Sequence, residues 1–212
     1  MVFLSNEFSE FPDPRLYHPA GGLMAYGGDL SPERIWNAYK NGIFPWFNPD
    51  EEILWWSPDP RFVLFPEEVT VSKSMKKILN RGVFTFTENV CFVEVIHHCQ
   101  NIERADQDGT WITEDIINGF LELNELGKAK SIEVWYDEEL VGGFYGLEVN
   151  GIFCGESMFS LMSNASKAGF LHFVLAQGHR YSLIDCQVHS DHLESLGARM
   201  ISKELFYHYL DA

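Results

Sequence analysis

A carboxylate and an amide stand two residues apart in residues 183–188, LIDCQV, whose alternating pattern is typical of a β-strand. Because side chains alternate along a strand, Asp185 and Gln187 are expected on one face, with Ile184 and Cys186 on the other. A carboxylate beside an amide can hold an attacking nucleophile and orient its protons. The same pair also fits a solvated sheet face or a loop cap. Cys186 is an alternative nucleophile, but a single Cys in an apolar strand is typical of a core residue.

A further acidic position lies in residues 151–160, GIFCGESMFS, where Glu156 falls near the end of a strand rich in Phe, Met and Gly. A carboxylate among such neighbours lies either exposed at the end of the strand or in a cleft that receives a cationic group of a ligand. The sequence leaves both interpretations open.

Four basic side chains share one face of a helix predicted over residues 72–81. At about 100° per residue they fall within about 140° of arc, opposite the apolar side chains of that helix. A solvated helix face and a phosphate-binding surface both explain this pattern. We call these four residues the basic stripe: Lys73, Lys76, Lys77 and Arg81.

Six aromatic rings crowd into residues 39–56, among prolines that interrupt regular structure. Core packing of a small domain accounts for some of them, but rings on irregular backbone also form stacking platforms for bases. The six are Tyr39, Phe44, Trp46, Phe47, Trp55 and Trp56.

Composition limits the class of function. The chain has 212 residues, which corresponds to about 1.4 domains of ordinary size. Its net charge of −16 excludes a protein that binds nucleic acid through overall positive charge, but it does not exclude a local basic patch. No secretory signal and no apolar run of membrane-spanning length is found, so a cytoplasmic location and reduced cysteines are expected.

The sequence predicts neither a metal nor a cofactor. Two histidine pairs, His97 with His98 and His189 with His192, lack an acidic or cysteine partner at the spacing of metal ligands. No phosphate-binding P-loop, dinucleotide-binding glycine motif or G-x-S-x-G nucleophile motif is present.

The elements that must position these residues divide at residue 62. Residues 1–62, rich in Pro, Gly and aromatic rings, predict a small N-terminal domain of turns with one helix, which begins after Ser31 and ends at Asn41 and Gly42. Residues 63–212 alternate helix and strand patterns, which indicates an α/β domain with a mixed sheet. Helices are predicted over residues 72–81, 90–99, 113–126 and 164–177 and in a short segment ending at residue 197; strands are predicted over 83–87, 131–136, 140–149, 152–157 and 183–188, with a hairpin turn at residues 150–151.

A series of long motifs covers roughly residues 20–205: GGDLSPERI (27–35), AYKNGIFPWF (38–47), ILWWSPDPR (53–61), TWI (110–112), SIEVW (131–135), LVGGFYG (140–146), FCGESMFS (153–160), NASK (164–167), LIDCQ (183–187) and SLGA (195–198). In this order they resemble the leucyl/phenylalanyl-tRNA–protein transferase family. The family usually has His directly before SIEVW, where this chain has Lys130, and some relatives continue beyond the position of Ala212.

The resemblance implies an enzyme that transfers Leu, Phe or Met from aminoacyl-tRNA to the α-amine of a protein that begins with Arg or Lys. The product is then marked for degradation through the N-degron pathway in the bacterial cytosol. The resemblance further implies a catalytic domain similar to the GNAT acyltransferase fold, preceded by a small N-terminal domain, and a reaction without acetyl-CoA or metal.

The resemblance also implies roles for individual residues. Asp185 and Gln187 match the catalytic pair, in which Gln187 holds and helps deprotonate the attacking amine and Asp185 orients and polarises it. Glu156 matches the acid of the site and would bind an ammonium or guanidinium group, or the aminoacyl amine. The terminal adenosine of the tRNA is expected to stack on Tyr39 and Trp46, and the basic stripe is expected to contact phosphates of the acceptor stem. Six residues match the apolar aminoacyl pocket: Trp111, Phe144, Phe153, Phe170, Phe173 and Ile184.

The sequence leaves two alternatives. An acetyl-CoA-dependent N-acetyltransferase would need a Q/R-x-x-G-x-G/A loop before a helix, and the corresponding loop, MFSLMSNASK, lacks it. A non-catalytic binding module could keep the aromatic pocket, but it has less reason to keep Asp185, Gln187 and Glu156 together.

Overall fold

The computed structural model describes residues 2–7, 10–102 and 110–212. Its helices are α1 (Pro32–Lys40), α2 (Lys73–Asn80), α3 (Phe92–Asn101), α4 (Glu114–Glu125), α5 (Ala165–Gln177), α6 (Asp191–Glu194) and α7 (Lys203–Leu210). Its strands are β1 (Val2–Leu4), β2 (Leu23–Gly27), β3 (Phe44–Pro45), β4 (Leu54–Trp56), β5 (Arg61–Leu64), β6 (Thr85–Glu88), β7 (Ala129–Tyr136), β8 (Glu139–Val149), β9 (Ile152–Ser160), β10 (Leu183–Gln187) and β11 (Arg199–Ile201).

The N-terminal segment contains a small sheet with the strand order β1-β2-β4-β3. β1 is parallel to β2, and the other neighbours are antiparallel. The predicted helix is present as α1 and much of the segment is irregular, but the small sheet was not predicted. Pro45 lies in the edge strand β3, where a residue without a backbone N–H is tolerated. Trp55 on the inner strand β4 is fully buried, and its indole donates a hydrogen bond to the carbonyl of Gly27 at 2.9 Å.

The other strands form a seven-stranded sheet in the order β11-β5-β10-β9-β8-β7-β6, which confirms the predicted mixed α/β architecture. Among the described strands of this sheet, only β9 and β10 pair in parallel, and α5 connects them. β5 lies between β11 and β10, so the chain leaving the N-terminal segment runs directly beside β10. The predicted domain boundary at residue 62 falls within β5 and stays a prediction.

Helices cover both faces of the seven-stranded sheet. α5 packs against β7, β8 and β9 on one face, and α3 and α4 pack on the other. The neighbours Phe144 and Tyr145 on β8 consequently point into two different apolar clusters. Phe170 and Phe173 of α5 are buried in the cluster beneath that helix, as its apolar pattern predicted.

Local sequence signals located the helix ends well. Ser31, Ser72 and Thr113 each cap a helix by accepting a hydrogen bond from the backbone N–H three residues further on. Asn150 and Gly151 have φ values of 48° and 72°, as the predicted tight hairpin between β8 and β9 requires. The helices and strands predicted after residue 63 are present, with small shifts at their ends.

The last two elements, β11 and α7, were not predicted. α7 packs back on the N-terminal segment, where the Tyr207 hydroxyl donates to the carbonyl of Asn41 at 2.8 Å and lies 3.1 Å from the Ser57 hydroxyl. The C-terminal helix thereby holds the small sheet against the large one.

The described part of the chain contains no helix with the length and apolar character needed to cross a bilayer. No disulfide joins the four cysteines, which are Cys91, Cys99, Cys154 and Cys186. Burial raises the pKa of the Cys154 thiol well above its usual value, so this side chain behaves as a small apolar residue.

Gly119 on α4 lies at a close approach to the N-terminal segment. A methyl group added there would lie 2.5 Å from Ile35 Cδ1 and 2.6 Å from the carbonyl oxygen of Leu30. Gly119→Ala is therefore expected to lower the free energy of unfolding by about 1–3 kcal/mol, the cost of overpacking, despite the higher helix propensity of Ala. Thermal unfolding followed by circular dichroism measures the change, with the exposed Asn118→Ala on the same helix as control. Equal melting temperatures for the two variants would contradict close packing at this contact.

Candidate functional site

A cavity of about 440 Å³ lies where β3, β8, β9, β10 and α5 meet. Its wall is mainly apolar and aromatic, and its polar groups come chiefly from β9, β10 and the loop that follows β10. Five of the six residues predicted for an apolar pocket line it: Trp111, Phe144, Phe153, Phe170 and Ile184. Phe173 lies behind the wall, fully buried, with its ring centroid 5.5 Å from that of Phe144 and 4.7 Å from that of Phe153.

Asp185 and Gln187 meet at this cavity, although not through regular strand alternation. The pairing of β10 with β5 shifts register between them, and Gln187 has a φ of 64°, in the left-handed region. The backbone N–H of Gln187 donates to Asp185 Oδ1 at 3.0 Å, and this hydrogen bond stabilises the irregular backbone at the end of β10. Residues 184–188 all line the cavity. Ile184 and Cys186 pack in the apolar cluster beneath α5, on the opposite strand face from Asp185, as the alternating pattern predicted. Burial raises the pKa of the Cys186 thiol, which makes it a poor nucleophile.

Asp185 is fully buried and pairs with Arg61, a residue that the sequence analysis did not single out. Arg61 donates from Nε to Asp185 Oδ1 at 2.8 Å and from Nη2 to Oδ2 at 2.6 Å. Burial alone would lower the pKa of the Arg61 guanidinium, but the Asp185 carboxylate raises it above its usual value. The only signal in the sequence was a basic residue at the end of ILWWSPDPR, 124 positions before its partner.

Glu156 on β9 completes the polar end of the cavity. The side-chain Nε2 of Gln187 donates to Glu156 Oε1 at 2.9 Å, so the three residues predicted for the chemistry lie together. Burial raises the pKa of Glu156 to about 8, although the nearby Tyr39 hydroxyl and the hydrogen bond from Gln187 to the carboxyl group oppose the rise. The carboxyl group is consequently mostly neutral at pH 7. A cation that enters the cavity would lower the pKa of this group and favour its ionised form.

The two predicted stacking residues have different surroundings. Trp46 lines the cavity and is 41% exposed, so its indole is accessible to a ligand. Tyr39 is only 2% exposed, packs edge-on against Phe120, and turns its hydroxyl to Glu156. Its ring has no free face for an adenosine, which corrects that expectation. Trp55 is likewise a core residue.

The basic stripe is exposed on α2 and on Arg81, the residue that follows it, and Met75 of the same helix is buried, as the helical pattern predicted. α2 packs against α5, and none of the four basic side chains lines the cavity. The stripe is thus a surface separate from the cavity, and its contact with phosphates stays a prediction.

Two histidines beside the cavity differ from expectation. His189 lies with Asp191 and Glu194, whose ligand atoms fall within 4.8 Å of one another, so the prediction that it lacks acidic neighbours was wrong. All three side chains are exposed, and exposed acidic groups commonly cluster without an ion, so no metal centre is assigned. His192 lines the cavity, and its buried Nε2 has no hydrogen-bond partner among the described residues. Burial, together with nearby Lys167, lowers the pKa of His192 and keeps the ring neutral near pH 7.

Comparisons of the sequence with known proteins agree on one family. The sequence model of leucyl/phenylalanyl-tRNA protein transferase matches residues 63–211, and that of the N-terminal domain of this transferase matches residues 28–59. The leucyl/phenylalanyl-tRNA–protein transferase of Flavobacterium johnsoniae is 56% identical over 186 residues, which cover 87% of this chain and 88% of the relative. That of Flavobacterium psychrophilum is 48% identical over 211 residues, which cover 99% of each.

Similar solved structures are more distant. A conserved protein of unknown function from Bacteroides thetaiotaomicron has a TM-score of 0.46 at 12% identity and covers 72% of this chain and 54% of its own. L-PGS from Bacillus licheniformis has a TM-score of 0.43 at 14% identity and covers 76% and 52%, respectively. These scores are too low to assign the fold to a named class.

The raised pKa of Glu156 predicts a pH-dependent stability. A pKa of about 8 in the folded protein, against 4.5 for the ordinary carboxyl group, means that its contribution is complete below pH 4.5 and is lost as the pH rises through 8. Glu156→Gln stays neutral. The free energy of unfolding of this variant minus that of wild type is therefore expected to increase by on the order of 2 kcal/mol between about pH 5 and about pH 9. This figure is reduced to allow for the partial exposure of Glu156.

Urea unfolding at both pH values measures this difference. Glu125→Gln, an exposed substitution on α4, is the control and is expected to show no comparable change. If the difference between Glu156→Gln and wild type is the same at both pH values, the carboxyl group titrates normally and the inference is wrong.

Proposed function

Because the chain belongs to the leucyl/phenylalanyl-tRNA–protein transferase family, and is therefore an aminoacyltransferase, we propose that it transfers Leu, Phe or Met from aminoacyl-tRNA to proteins that begin with Arg or Lys. We also propose that the products enter N-degron degradation in the cytoplasm. The observation that carries the proposal is the cavity, in which an apolar aromatic wall ends at the contact between Gln187 and Glu156.

The apolar wall suits the side chain of the donor amino acid. The part of the cavity of about 440 Å³ that is lined by Phe144, Phe153 and Ile184 offers apolar contact to that side chain. One methylene in such a pocket is worth only about 1–3 kcal/mol, so Leu, Phe and Met are expected to be accepted together. Phe173 supports this wall from behind and sets its shape without touching the ligand.

The reaction is the aminolysis of an ester that is already activated. An α-amine has a pKa of about 7.7–8.0, so a fraction is neutral at physiological pH and much of the rate can come from positioning it against the ester carbonyl. A C–N bond forms, the ester C–O bond breaks, and one proton passes from the amine to the departing ribose oxygen.

Within the site, Gln187 is placed to receive the amine. Because its Nε2 donates to Glu156, its side-chain carbonyl oxygen is the part suited to accept an N–H of the attacking amine. Asp185 has its oxygens occupied by Arg61 and by the backbone of Gln187, so it orients Gln187 rather than meeting the substrate. Glu156, with a pKa of about 8, can yield its proton when an ammonium or guanidinium group approaches.

The tRNA is proposed to bind at two places. The terminal adenosine stacks on the accessible indole of Trp46, and Tyr39 takes a supporting role through its hydroxyl near Glu156. The basic stripe contacts phosphates of the acceptor stem. The net charge of −16 does not prevent this, since repulsion between exposed charges is screened within about 8 Å at physiological salt.

The fold class and cofactor use belong to the same proposal. The parallel pair β9 and β10 joined by α5, within an otherwise antiparallel sheet, supports a catalytic domain of GNAT type behind the N-terminal domain of residues 1–62. The change between the two matched family regions, from residue 59 to residue 63, supports that boundary. The loop before α5 has no glycine-rich motif for acetyl-CoA, and the reaction needs neither cofactor nor metal.

Radiolabelled Leu-tRNA and a protein that begins with Arg test the proposal directly, with labelled acetyl-CoA as the alternative donor. Gln187→Ala is expected to reduce transfer at least about tenfold, the lower end of positioned proton-transfer effects, while tRNA binding and circular dichroism are retained. Gln177→Ala is the matched control, because this glutamine binds Glu88 away from the cavity. Transfer from acetyl-CoA instead of tRNA would overturn the function, and near wild-type transfer by Gln187→Ala would remove Gln187 from the mechanism.

The basic stripe is tested by the salt dependence of tRNA binding. Each phosphate contact contributes roughly 0.7–0.9 to the slope of log K against log salt, so Lys76→Ala/Lys77→Ala is expected to flatten the slope by about 1–2 units. The loss of affinity should be similar for Leu-, Phe- and Met-tRNA, since phosphate contacts carry no base information.

The control for this experiment is Arg180→Ala/Arg199→Ala, which removes two exposed charges from other elements. A minimal aminoacyl-adenosine donor, which lacks an acceptor stem, should be used equally by the Lys76→Ala/Lys77→Ala variant and wild type. An unchanged slope, or a defect that persists with the minimal donor, assigns the stripe to ordinary solvated surface.

A further inference from the structure

Arg61 contacts three parts of the molecule through one guanidinium. Nε and Nη2 bind the Asp185 carboxylate at 2.8 and 2.6 Å, and Nη1 donates to the carbonyl of Gly42, beyond the end of α1, at 3.2 Å. The guanidinium lies between the rings of Phe44 and Phe206, with Cζ 4.7 Å from each centroid. Arg61 is only 1% exposed and does not line the cavity itself.

A buried ion pair is an inefficient way to stabilise a fold. Removing two charges from water offsets their attraction, and apolar side chains of similar volume often give equal or greater stability. An arginine at this position instead fixes geometry. A guanidinium can bind a carboxylate through two parallel hydrogen bonds, donate to a third acceptor and stack between rings, whereas an ammonium group cannot make all these contacts at once.

The first contact reaches Gln187 through Asp185. Asp185 Oδ1, which accepts from Arg61 Nε, also accepts the backbone N–H of Gln187. This hydrogen bond holds Gln187 in a left-handed conformation that side chains such as Gln rarely adopt. The same conformation directs the Gln187 amide to Glu156. If the Asp185 carboxylate rotated, the break in β10 would lose its support.

The other contacts reach the opposite wall of the cavity. Gly42 lies in the turn that leads from α1 into β3, Phe44 is the first residue of β3, and the wall of the cavity continues through Pro45 and Trp46. A single buried group therefore sets the position of the Gln187 amide and the position of the wall where the donor adenosine is proposed to stack.

We propose that Arg61 is a positioning residue for aminoacyl transfer, which holds the Gln187 amide through Asp185 and the Phe44–Trp46 wall through Gly42 and Phe44. The part concerning transfer rests on the proposed function, because it assigns the two ends of the site to the attacking amine and to the donor.

Arg61→Lys keeps the charge but loses the combined contacts. With a minimal aminoacyl-adenosine donor, kcat is expected to fall about tenfold and the donor KM to rise roughly threefold or more, with the acceptor KM unchanged. Arg199→Met is the matched control. Arg199 lies on the neighbouring strand β11, binds Glu68 through two hydrogen bonds and covers the ring of Phe65, but it lies outside the site. Wild-type kinetics are expected for it.

Asp185→Asn and the double variant Arg61→Met/Asp185→Asn separate the two contacts. If Arg61 acts on kcat through Asp185, the double variant has the kcat of Asp185→Asn, not the product of two separate losses. Of these two variants, only the double variant is expected to raise the donor KM, because Gly42 and Phe44 keep their contact with Arg61 in Asp185→Asn. The double variant leaves no unpaired buried charge, so it provides a folded protein if Arg61→Lys does not.

A measurement without substrate distinguishes failure of this inference from failure of the proposed function. Hydrogen exchange of the Gln187 backbone amide, followed by nuclear magnetic resonance, is expected to be at least about tenfold faster in Arg61→Lys, or in the double variant, than in wild type and Arg199→Met. If wild type does not transfer from aminoacyl-tRNA, the proposed function fails and the exchange rates still decide the positioning role. Unchanged exchange, unchanged kcat and donor KM in a folded Arg61 variant, or multiplicative losses in the double variant would overturn the inference.

Discussion

The buried ion pair between Arg61 and Asp185 joins the parts of the molecule that must meet for the site to exist. It connects adjacent strands of the large sheet, β5 and β10, and Arg61 also binds the N-terminal segment at Gly42. A buried charge without its partner costs free energy. Any arrangement that separates β5 from β10 would leave Arg61 or Asp185 in this state and would be strongly destabilised. The pair thereby favours a single arrangement of the two sheets, and the cavity lies along their junction.

The same interior gives two neighbouring carboxyl groups different properties. Asp185 faces a guanidinium that compensates its charge, whereas Glu156 faces an amide and a phenol, and burial raises its pKa to about 8. Two carboxyl groups whose surroundings differ in this way are suited to different tasks, one to hold geometry and one to exchange a proton with a ligand. In a chain of net charge −16, the described lining of the resting cavity thus holds no uncompensated carboxylate near neutral pH, which favours the entry of an anionic tRNA terminus.

Local sequence signals predicted the elements of the large sheet, because helix caps such as Ser72 and Thr113 and the alternation of apolar residues act over a few positions. The small sheet escaped prediction because its strands are too short to show a clear alternation of apolar residues, and one of them contains Pro45. The family resemblance grouped Asp185, Gln187 and Glu156, but the alternation of side chains could not show the left-handed conformation of Gln187. Residue type likewise could not show that Tyr39 is buried and Trp46 accessible, since burial depends on tertiary packing.

The packing of α7 on the N-terminal segment has a consequence for how the protein is made. Phe206 covers the Arg61 guanidinium, and Tyr207 bonds to Asn41, 166 positions earlier in the chain. A ribosome produces the N-terminal segment first, so the wall of the cavity lacks the contacts from α7 until α7 has emerged from the exit tunnel. Contacts across such sequence separations also form late because their loop-closure cost is high. A chain that still lacks α7 therefore contains the residues of the site without the contacts that Phe206 and Tyr207 make with Arg61 and Asn41.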